Sequence, residues 1–385
     1  MTIKKSNIAP FIAVAVLFYS LFPIYSWGTA VASNSRWFAV AIGAIYVLIN
    51  FRKLNKKVYC WHFVYAMLIF VSSFMNYQHR TIGEIVNIIM PSVFILEIFL
   101  IPEIVVLQNK GKELLSWITV FFIIWLLCVT SSIYTQTGID AGVYNPYFIG
   151  NKFNASYYFI LLTCILDIKR KKNPSIQNRI MWIICWGFSL VTIIFMNCST
   201  AIIMLLMIAI AHICVSKKNF LLRHIKWVII LLIIFATVII LKFDNIISSP
   251  VVSKFLSDIG ETGTIKSRGI IYTYLPDIIK QKMWLGYGFN SNIVAETFAG
   301  NAQNALLHII VQFGIIGAGV FIIMTASSVK FAVKDKGTDL RPIIYYIIVF
   351  ILAGIIEITF GFYFYFLLSL LMITGEIQNK ENISV

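Results

Sequence analysis

Long apolar segments separated by short basic loops constrain this chain more than any other feature of its sequence. A helix that crosses a bilayer needs about 20 predominantly apolar residues, and runs of about that length recur along the whole chain. With 59% hydrophobic and only 12% charged residues among 385, the chain has no place for a large soluble domain. The sequence therefore predicts an all-α polytopic membrane protein and excludes a cytosolic enzyme and a nucleic-acid-binding domain.

About twelve transmembrane helices are predicted, with eleven as the alternative. Ten apolar runs delimit the first spans: 9–25, 36–51, 58–75, 82–101, 116–133, 153–168, 180–197, 199–215, 227–243 and 304–331. The region 343–375 gives the last two spans if it forms a hairpin of short helices, and one span if it does not. The chain then divides into nine transmembrane helices over 1–243, an external loop over 244–303 and C-terminal transmembrane helices over 304–385.

The distribution of basic residues predicts the orientation. If the N-terminus is cytoplasmic, 22 of the 31 lysines and arginines lie in or beside cytoplasmic loops and nine lie on the other side. Cytoplasmic loops of membrane proteins are enriched in these residues, so we expect a cytoplasmic N-terminus. Six of the nine outer cations fall between residues 242 and 303, the long hydrophilic segment of the chain.

This external loop has a pattern typical of amphipathic helices. Ser249 and Pro250 resemble a helix start, and apolar residues follow at helical spacing as far as Ile259. After Ser267 a second apolar stripe is formed by Ile270, Ile271, Tyr274, Leu275, Ile278 and Ile279. Two helices lying at the membrane surface are therefore predicted.

Four short motifs follow one another in this loop and after it. They are Ser267-Arg268 through Tyr272, the L-G-x-G turn at 285–288, Gln303-Asn304, and the Q-x-G-x-x-G segment at 312–317. Their order resembles the O-antigen polymerase and O-antigen ligase group of bacterial envelope enzymes, and the segment 150–156 resembles the first functional loop of that group. Gln303 stands where ligases carry a histidine, which favours the polymerase type.

The resemblance implies transfer of a glycan from undecaprenyl pyrophosphate to a sugar hydroxyl, at the outer face of the bacterial cytoplasmic membrane. The sequence contains no cofactor motif and no cluster of metal ligands in the outer segments, so we expect a reaction without a cofactor or a metal. The implied partners are the undecaprenyl-pyrophosphate-linked oligosaccharide, the lipid bilayer, a chain-length regulator and a flippase. Two alternatives are a ligase of the finished glycan and a flippase of the lipid-linked oligosaccharide. Transporters keep their polar sites near the membrane midplane, whereas the polar chemistry here is gathered in one outer loop.

The candidate site residues follow from the charges that this reaction develops. A fixed cation stabilises a departing pyrophosphate, and Arg268 is the main candidate because its planar fork binds phosphate oxygens bidentately. Its alternative roles are an interfacial anchor or an ion pair with Glu261. The acceptor hydroxyl needs a base, for which the catalytic candidates are Asp277 and His308. The expected substrate-binding residues are Asn151, Lys152, Asn154, Lys266, Tyr272, Lys280, Gln303 and Asn304.

Two acidic residues interrupt apolar runs. Glu97 is a functional candidate because carboxylates within membrane spans are costly, and its alternative role is to cap a polar contact between helices. Glu357 lies between Gly354 and Gly361. That position suits an outer turn better than a buried site.

The orientation can be tested by cysteine labelling. We expect residues 244–303 to face outward and residues 169–179 to face the cytoplasm, because the cytoplasmic loops hold most of the cations. In a chain without its native cysteines, a cysteine introduced at Gly263 should react with an impermeant maleimide in spheroplasts, while one at Asn173 should not. The reverse pattern would invert the predicted topology.

Overall fold

The computed structural model describes residues 7–25, 29–55, 57–77, 81–135, 147–214, 224, 227–235, 249–250, 254, 262–298, 302–333 and 340–383. Its first helices are α1 (Ile8–Leu21), α2 (Thr29–Asn50), α3 (Cys60–Asn76), α4 (Ile82–Leu107), α5 (Gly111–Thr135), α6 (Lys152–Lys172), α7 (Ile176–Phe195) and α8 (Ser199–Cys214). The later helices are α9 (Thr262–Gln281), α10 (Ile293–Phe298), α11 (Ala305–Ala332), α12 (Arg341–Ala353) and α13 (Phe362–Ile383). Residues 227–235 are also helical.

The described helices have the lengths and compositions of a multi-pass membrane protein. Five segments are long and apolar enough to cross a bilayer: Ala30–Lys53, Ile82–Leu107, Gly111–Thr135, Ile176–Phe195 and Ala305–Ala332. Further apolar helices of 10–17 residues accompany them, and no strand occurs in the described ranges. An all-helical membrane fold is therefore confirmed, while the number of spans stays a prediction.

Some helices extend beyond the apolar runs that predicted them. The run began at residue 36, but α2 begins at Thr29. Ser35 explains the difference, because its hydroxyl donates to the carbonyl oxygen of Val31 at 2.6 Å and lies 2.6 Å from the hydroxyl of Tyr19 on α1. A polar residue whose hydrogen bonds are satisfied can therefore extend the helix. The region 343–375 forms parts of two helices, α12 and α13, joined by the turn at 354–361.

The helices pack around α4 and α13. Helix α4 contacts α1, α2, α3, α5 and α13, and α13 also contacts α6, α11 and α12. Helix α11 lies between α3 and α13. This arrangement places the last turn of α3, the first turns of α6 and α11, and the turn at 354–361 near one another at one end of the bundle.

The apolar stripe of α9 differs from the expected arrangement at the membrane surface. Ile271, Leu275 and Ile278 are buried in one cluster that includes Val294 of α10 and Val311 of α11. Other members of the stripe are exposed, among them Ile270 (56%) and Tyr274 (55%). The stripe therefore serves mainly to attach α9 to the protein. The helix predicted over 250–259 lies outside the described residues apart from positions 250 and 254.

The L-G-x-G turn and the Q-x-G-x-x-G segment bind each other. Gly314 has φ +69° and interrupts the helical backbone of α11, which leaves carbonyl groups of the preceding turn without their usual partners. The backbone N–H groups of Tyr287 and Gly288 donate to the carbonyl oxygens of Val311 and Gln312, at 2.9 and 2.8 Å. The two motifs are therefore the two sides of one joint between the loop and the membrane helix.

The end of α3 completes this joint. Ser72 donates from its hydroxyl to the carbonyl oxygen of Gln312 at 2.9 Å and also to that of Leu285. The amide of Asn76 donates to the carbonyl oxygen of Gly286 at 2.9 Å. Because buried backbone groups need hydrogen-bond partners inside a bilayer, these side chains allow an irregular segment to lie against the helices.

Gly314→Ala should disrupt this joint. A Cβ atom at Gly314 would overlap the carbonyl group of Trp284, and alanine disfavours the positive φ at this position. We expect a loss of about 2–4 kcal/mol in the free energy of unfolding, measured on purified protein in detergent. Gly319→Ala is the matched control in the same helix, because its Cβ atom would meet nothing within 4 Å. Equal stability of the two variants would contradict the structural role assigned to Gly314.

Candidate functional site

Arg268 forms an ion pair with an acid from the far end of the chain. Its Nη2 atom lies 3.2 Å from Oε1 of Glu357, and the two side chains are only 14% and 9% exposed. Glu357 lies in the turn between α12 and α13. The Nε atom of Arg268 is buried and has no hydrogen-bond partner in the described part of the chain. The alternative partner Glu261 lies outside that part.

Lys152 opens α6 on the same side of the bundle. Its Nζ atom donates to the carbonyl oxygen of Asn197 at 3.3 Å. The side-chain oxygen of Asn151 caps the helix by accepting from the backbone N–H groups of Phe153 and Asn154, at 3.1 and 3.0 Å. The two residues thus have different local roles, since Asn151 fixes the start of the helix and Lys152 supplies the positive charge there.

Two cations act on the carboxylate of Glu357. Burial raises the pKa of this carboxyl, whereas the positive charges of Arg268 and Lys152 act to lower it. Burial is the larger effect, so the pKa stays above its ordinary value. A carboxylate of raised pKa is a better proton acceptor than an exposed one, and cations close to it can also bind an incoming anion.

Tyr272 connects α9 to the start of α11. Its hydroxyl donates to the carbonyl oxygen of Gln303 at 2.7 Å. Burial raises the pKa of Tyr272 to about 12, so the hydroxyl keeps its proton at neutral pH. Gln303 has φ +49°, a backbone conformation that few residues other than glycine adopt. This contact fixes the distance between the helix that carries Arg268 and the helix that carries His308.

Asn304 joins α11 to the turn that contains Glu357. Its side-chain oxygen caps α11 by accepting from the backbone N–H of Leu307 at 2.8 Å. Its amide nitrogen donates to the carbonyl oxygens of Gly354 and Ile355, at 2.9 and 3.1 Å. Asn304 is completely buried. Its side chain therefore holds the turn in place next to Arg268.

His308 lines a cavity of about 90 Å³ between α3, α4, α11 and the turn. The cavity walls are mainly apolar, with Asn290 and Gln312 as further polar residues. Ile358, which follows Glu357 in the chain, also lines it. The cavity therefore borders the turn that carries the ion pair.

The remaining predicted residues lie apart from Arg268 or outside the described side chains. Asp277 and Lys280 form an exposed ion pair of 3.3 Å, with side chains 71% and 74% exposed. Asp277 lies nine residues after Arg268 on α9, which corresponds to about 13 Å along the helix axis. Asn154 packs its side chain against Gly150, and the side chain of Lys266 lies outside the described part of the chain.

The two acids that interrupt apolar runs in the sequence, Glu97 and Glu357, are both buried. Glu357 does lie in a turn, but the residue is only 7% exposed, because Arg268 compensates its charge. Glu97 on α4 is 2% exposed, and neither carboxylate oxygen has a partner in the described ranges. It lies against Gly43 of α2. The described residues therefore give no support to the alternative role of Glu97 as the cap of a polar contact, and its functional role stays a prediction.

The partner of Arg268 was missed by reasoning from the sequence. Glu357 is 89 residues away from Arg268 in the chain, and no local pattern connects them. The usable signal was an acid in an apolar region, which is costly unless it is paired.

Among the described residues, no group of three or more His, Cys, Asp or Glu side chains is arranged to hold a metal ion.

These features define a multi-pass membrane protein with a charged site at one end of its helical bundle. Residues 183–322 match the family model described as O-Antigen ligase. The match confirms the resemblance to the O-antigen ligase and polymerase group, and with it an enzyme of the glycan-transfer type. The matched segment contains Arg268, Tyr272, His308 and both glycine motifs, whereas Lys152 and Glu357 lie outside it. Comparison with curated proteins found no match.

Breaking the buried ion pair should cost more stability than breaking the exposed one. Glu357→Gln leaves the charge of Arg268 uncompensated, and we expect a loss of about 2–4 kcal/mol at pH 7. Asp277→Asn makes the same chemical change in the exposed pair and should cost less than about 0.5 kcal/mol. Unfolding of purified protein in detergent measures both. If Glu357→Gln loses as little stability as Asp277→Asn, the pair of Arg268 and Glu357 does not contribute to folding.

Proposed function

We propose that the protein polymerises lipid-linked oligosaccharide repeat units of an O-antigen, a capsule or an exopolysaccharide. It transfers the glycan from undecaprenyl pyrophosphate to a sugar hydroxyl at the outer face of the bacterial cytoplasmic membrane, without a metal. The observation that carries the proposal is the position of Arg268 and Lys152 around Glu357, at one end of a membrane bundle whose loop matches the O-Antigen ligase family.

The proposed chemistry uses the charges of this site. Arg268 and Lys152 bind the oxygens of the pyrophosphate and stabilise its negative charge as the bond to the anomeric carbon breaks. The pyrophosphate leaves with the electron pair of that bond, while the acceptor oxygen forms the new bond to the anomeric carbon. The acceptor proton passes to a base within hydrogen-bond reach.

Glu357 and His308 are the two candidates for this base. When the pyrophosphate binds Arg268, it competes with Glu357 for the same guanidinium. The carboxylate is then released to accept the proton, and its raised pKa favours this transfer. His308 lines the adjacent cavity and offers an imidazole to an acceptor bound there. Asp277 is the weaker candidate because its carboxylate is paired with Lys280 at the exposed surface.

A ligase that transfers the finished glycan to another acceptor is the second candidate function. The description of the matched family favours it, and His308 supplies a histidine one helical turn beyond the capping residue Asn304. Gln303 favours the polymerase, because ligases carry a histidine at that motif position.

Lipid-linked glycans from a deletion strain distinguish these functions. Loss of a polymerase should leave single repeat units on the carrier at the outer face. Loss of a ligase should leave long chains on the carrier, and loss of a flippase should leave repeat units facing the cytoplasm. Either of the last two results would contradict the proposed polymerase.

Arg268→Ala should abolish polymer in complemented cells and cause single lipid-linked repeats to accumulate, at normal protein level. Arg268→Lys should restore little activity, because a point charge does not reproduce the bidentate fork. Each lost charge-assisted contact should cost about 2–4 kcal/mol in the transition state, or about 30- to 1000-fold in rate. Gel analysis of the polymer, with immunoblotting of the protein, provides the measurement.

Lys282→Ala is the control for nonspecific electrostatics. Lys282 belongs to the same loop and contacts the ring of Tyr287 at 5.0 Å. Lys282 also donates to the side-chain oxygen of Asn76 in the joint, so the comparison is made at normal protein level and normal thermal stability of the variant. If Lys282→Ala then loses as much polymer as Arg268→Ala, bulk positive potential and not a positioned arginine explains the effect. Wild-type polymer length in Arg268→Ala would remove the arginine from the active site.

A further inference from the structure

A third cation lies inside the bundle, on α2. The guanidinium carbon of Arg36 is 5.1 Å from the ring centre of Phe94 and 4.7 Å from that of Phe362. The ring of Trp37 lies at 5.2 Å. The Nε atom of Arg36 is buried and has no hydrogen-bond partner in the described ranges. Aromatic faces therefore surround the guanidinium of a half-buried arginine.

No carboxylate in the described part of the chain forms an ion pair with Arg36. The titratable groups that act on it are the hydroxyl of Tyr25, which also forms a side-chain hydrogen bond with the guanidinium, and the hydroxyl of Tyr363. Contacts with aromatic rings offset only part of the cost of removing a cation from water. An arginine that keeps such a position inside a membrane protein is a candidate for anion binding.

Arg36 lies at the same end of the bundle as the site around Glu357. Phe362 and Tyr363 open α13 directly after the turn that carries Glu357. The ring of Tyr363 is 5.8 Å from that of Tyr157, and Tyr157 is within electrostatic reach of Glu357. Two tyrosine rings therefore connect the surroundings of Arg36 with those of Glu357.

Three buried donor atoms near this site have no hydrogen-bond partner among the described residues. They are the Nε atoms of Arg36 and Arg268 and the hydroxyl of Tyr157. Buried donors are rarely left unsatisfied. An anion with several oxygens could accept hydrogen bonds from such donors and pair with the positive charge.

Phe362 lies between Arg36 and the neighbouring cavity. Its ring lies against the guanidinium of Arg36 and also lines the cavity that contains His308. Phe362 therefore contacts both the cation and the cavity.

We propose that Arg36 binds the pyrophosphate of the prenyl-linked substrate from the membrane side, opposite Arg268 and Lys152. This inference rests on the proposed function and adds a binding residue to it. A prenyl chain enters from the bilayer, so its phosphates approach at the depth of the helix ends. A cation on α2 then contacts the phosphate that faces the bundle interior, while the loop arginine contacts the phosphate group from the surface.

The test measures lipid binding by the full-length protein in nanodiscs. The probes are undecaprenyl pyrophosphate, undecaprenol and inorganic pyrophosphate, and the readout is the shift in thermal unfolding of each variant relative to its own ligand-free state. Undecaprenyl pyrophosphate should bind wild-type protein about 10- to 100-fold more tightly than it binds Arg36→Gln, the range expected for one charge-assisted hydrogen bond. Arg36→Lys should lie between them.

Two controls separate binding from packing. Phe362→Leu removes one ring next to Arg36 and keeps its charge, so it should retain most of the affinity even if its ligand-free protein is less stable. Arg179→Gln removes an exposed cation at the start of α7 and should bind as wild type does. If Phe362→Leu weakens binding as much as Arg36→Gln does, Arg36 acts through packing and the inference is wrong. If Arg36→Gln does not fold, Arg36→Lys takes its place. The inference is then wrong if Phe362→Leu weakens binding as much as Arg36→Lys does.

The remaining outcomes distinguish this inference from the proposed function. Equal binding of undecaprenyl pyrophosphate by wild type and Arg36→Gln overturns the role of Arg36 and leaves the function intact. Binding of inorganic pyrophosphate with the same dependence on Arg36 shows a site for free anions and overturns the lipid-linked source. If wild type does not distinguish undecaprenyl pyrophosphate from undecaprenol, the proposed substrate itself is wrong.

Discussion

The rest of the structure depends on how the interruption of α11 is satisfied. A helix that breaks inside a bundle exposes carbonyl groups, and a lipid environment provides no water to pair with them. Here the break at Gly314 is matched by the N–H groups of the loop at 287–288 and by the hydroxyl of Ser72. The segment that carries the L-G-x-G turn is therefore attached to the membrane helices by hydrogen bonds as well as by apolar packing, and this attachment positions Arg268.

The candidate site holds a buried carboxylate next to two cations. Glu357 is stable at its buried position because Arg268 pairs with it and Lys152 lies near it. Under the proposed function, a phosphate ligand would compete for the same cations, so that ligand binding and release of the acid would be coupled. Fixed cations of this kind would stabilise the negative charge of the leaving pyrophosphate. We expect the ion pair to contribute to folding in the free protein and its cations to contribute to substrate binding in the working enzyme.

Local patterns predicted helices better than they predicted helix ends and partners. Apolar runs placed α3 and α6 to within a few residues, because a bilayer requires a minimum apolar length. They placed the start of α2 too late, because the hydroxyl of Ser35 forms hydrogen bonds with Tyr19 of α1 and with the backbone of its own helix. The stripe of α9 was recognised, but its burial against Val294 and Val311 depends on helices distant in sequence.

The sequence by itself determined the membrane class, the presence of a charged loop and the order of its motifs, because apolar length and the spacing of glycines are local properties. Only the tertiary structure decided which charges meet. Arg268 and Glu357 are 89 residues apart, and Asn304 holds a turn that begins 50 residues later. Such contacts depend on how helices cross and on where the chain turns back, which no local pattern encodes.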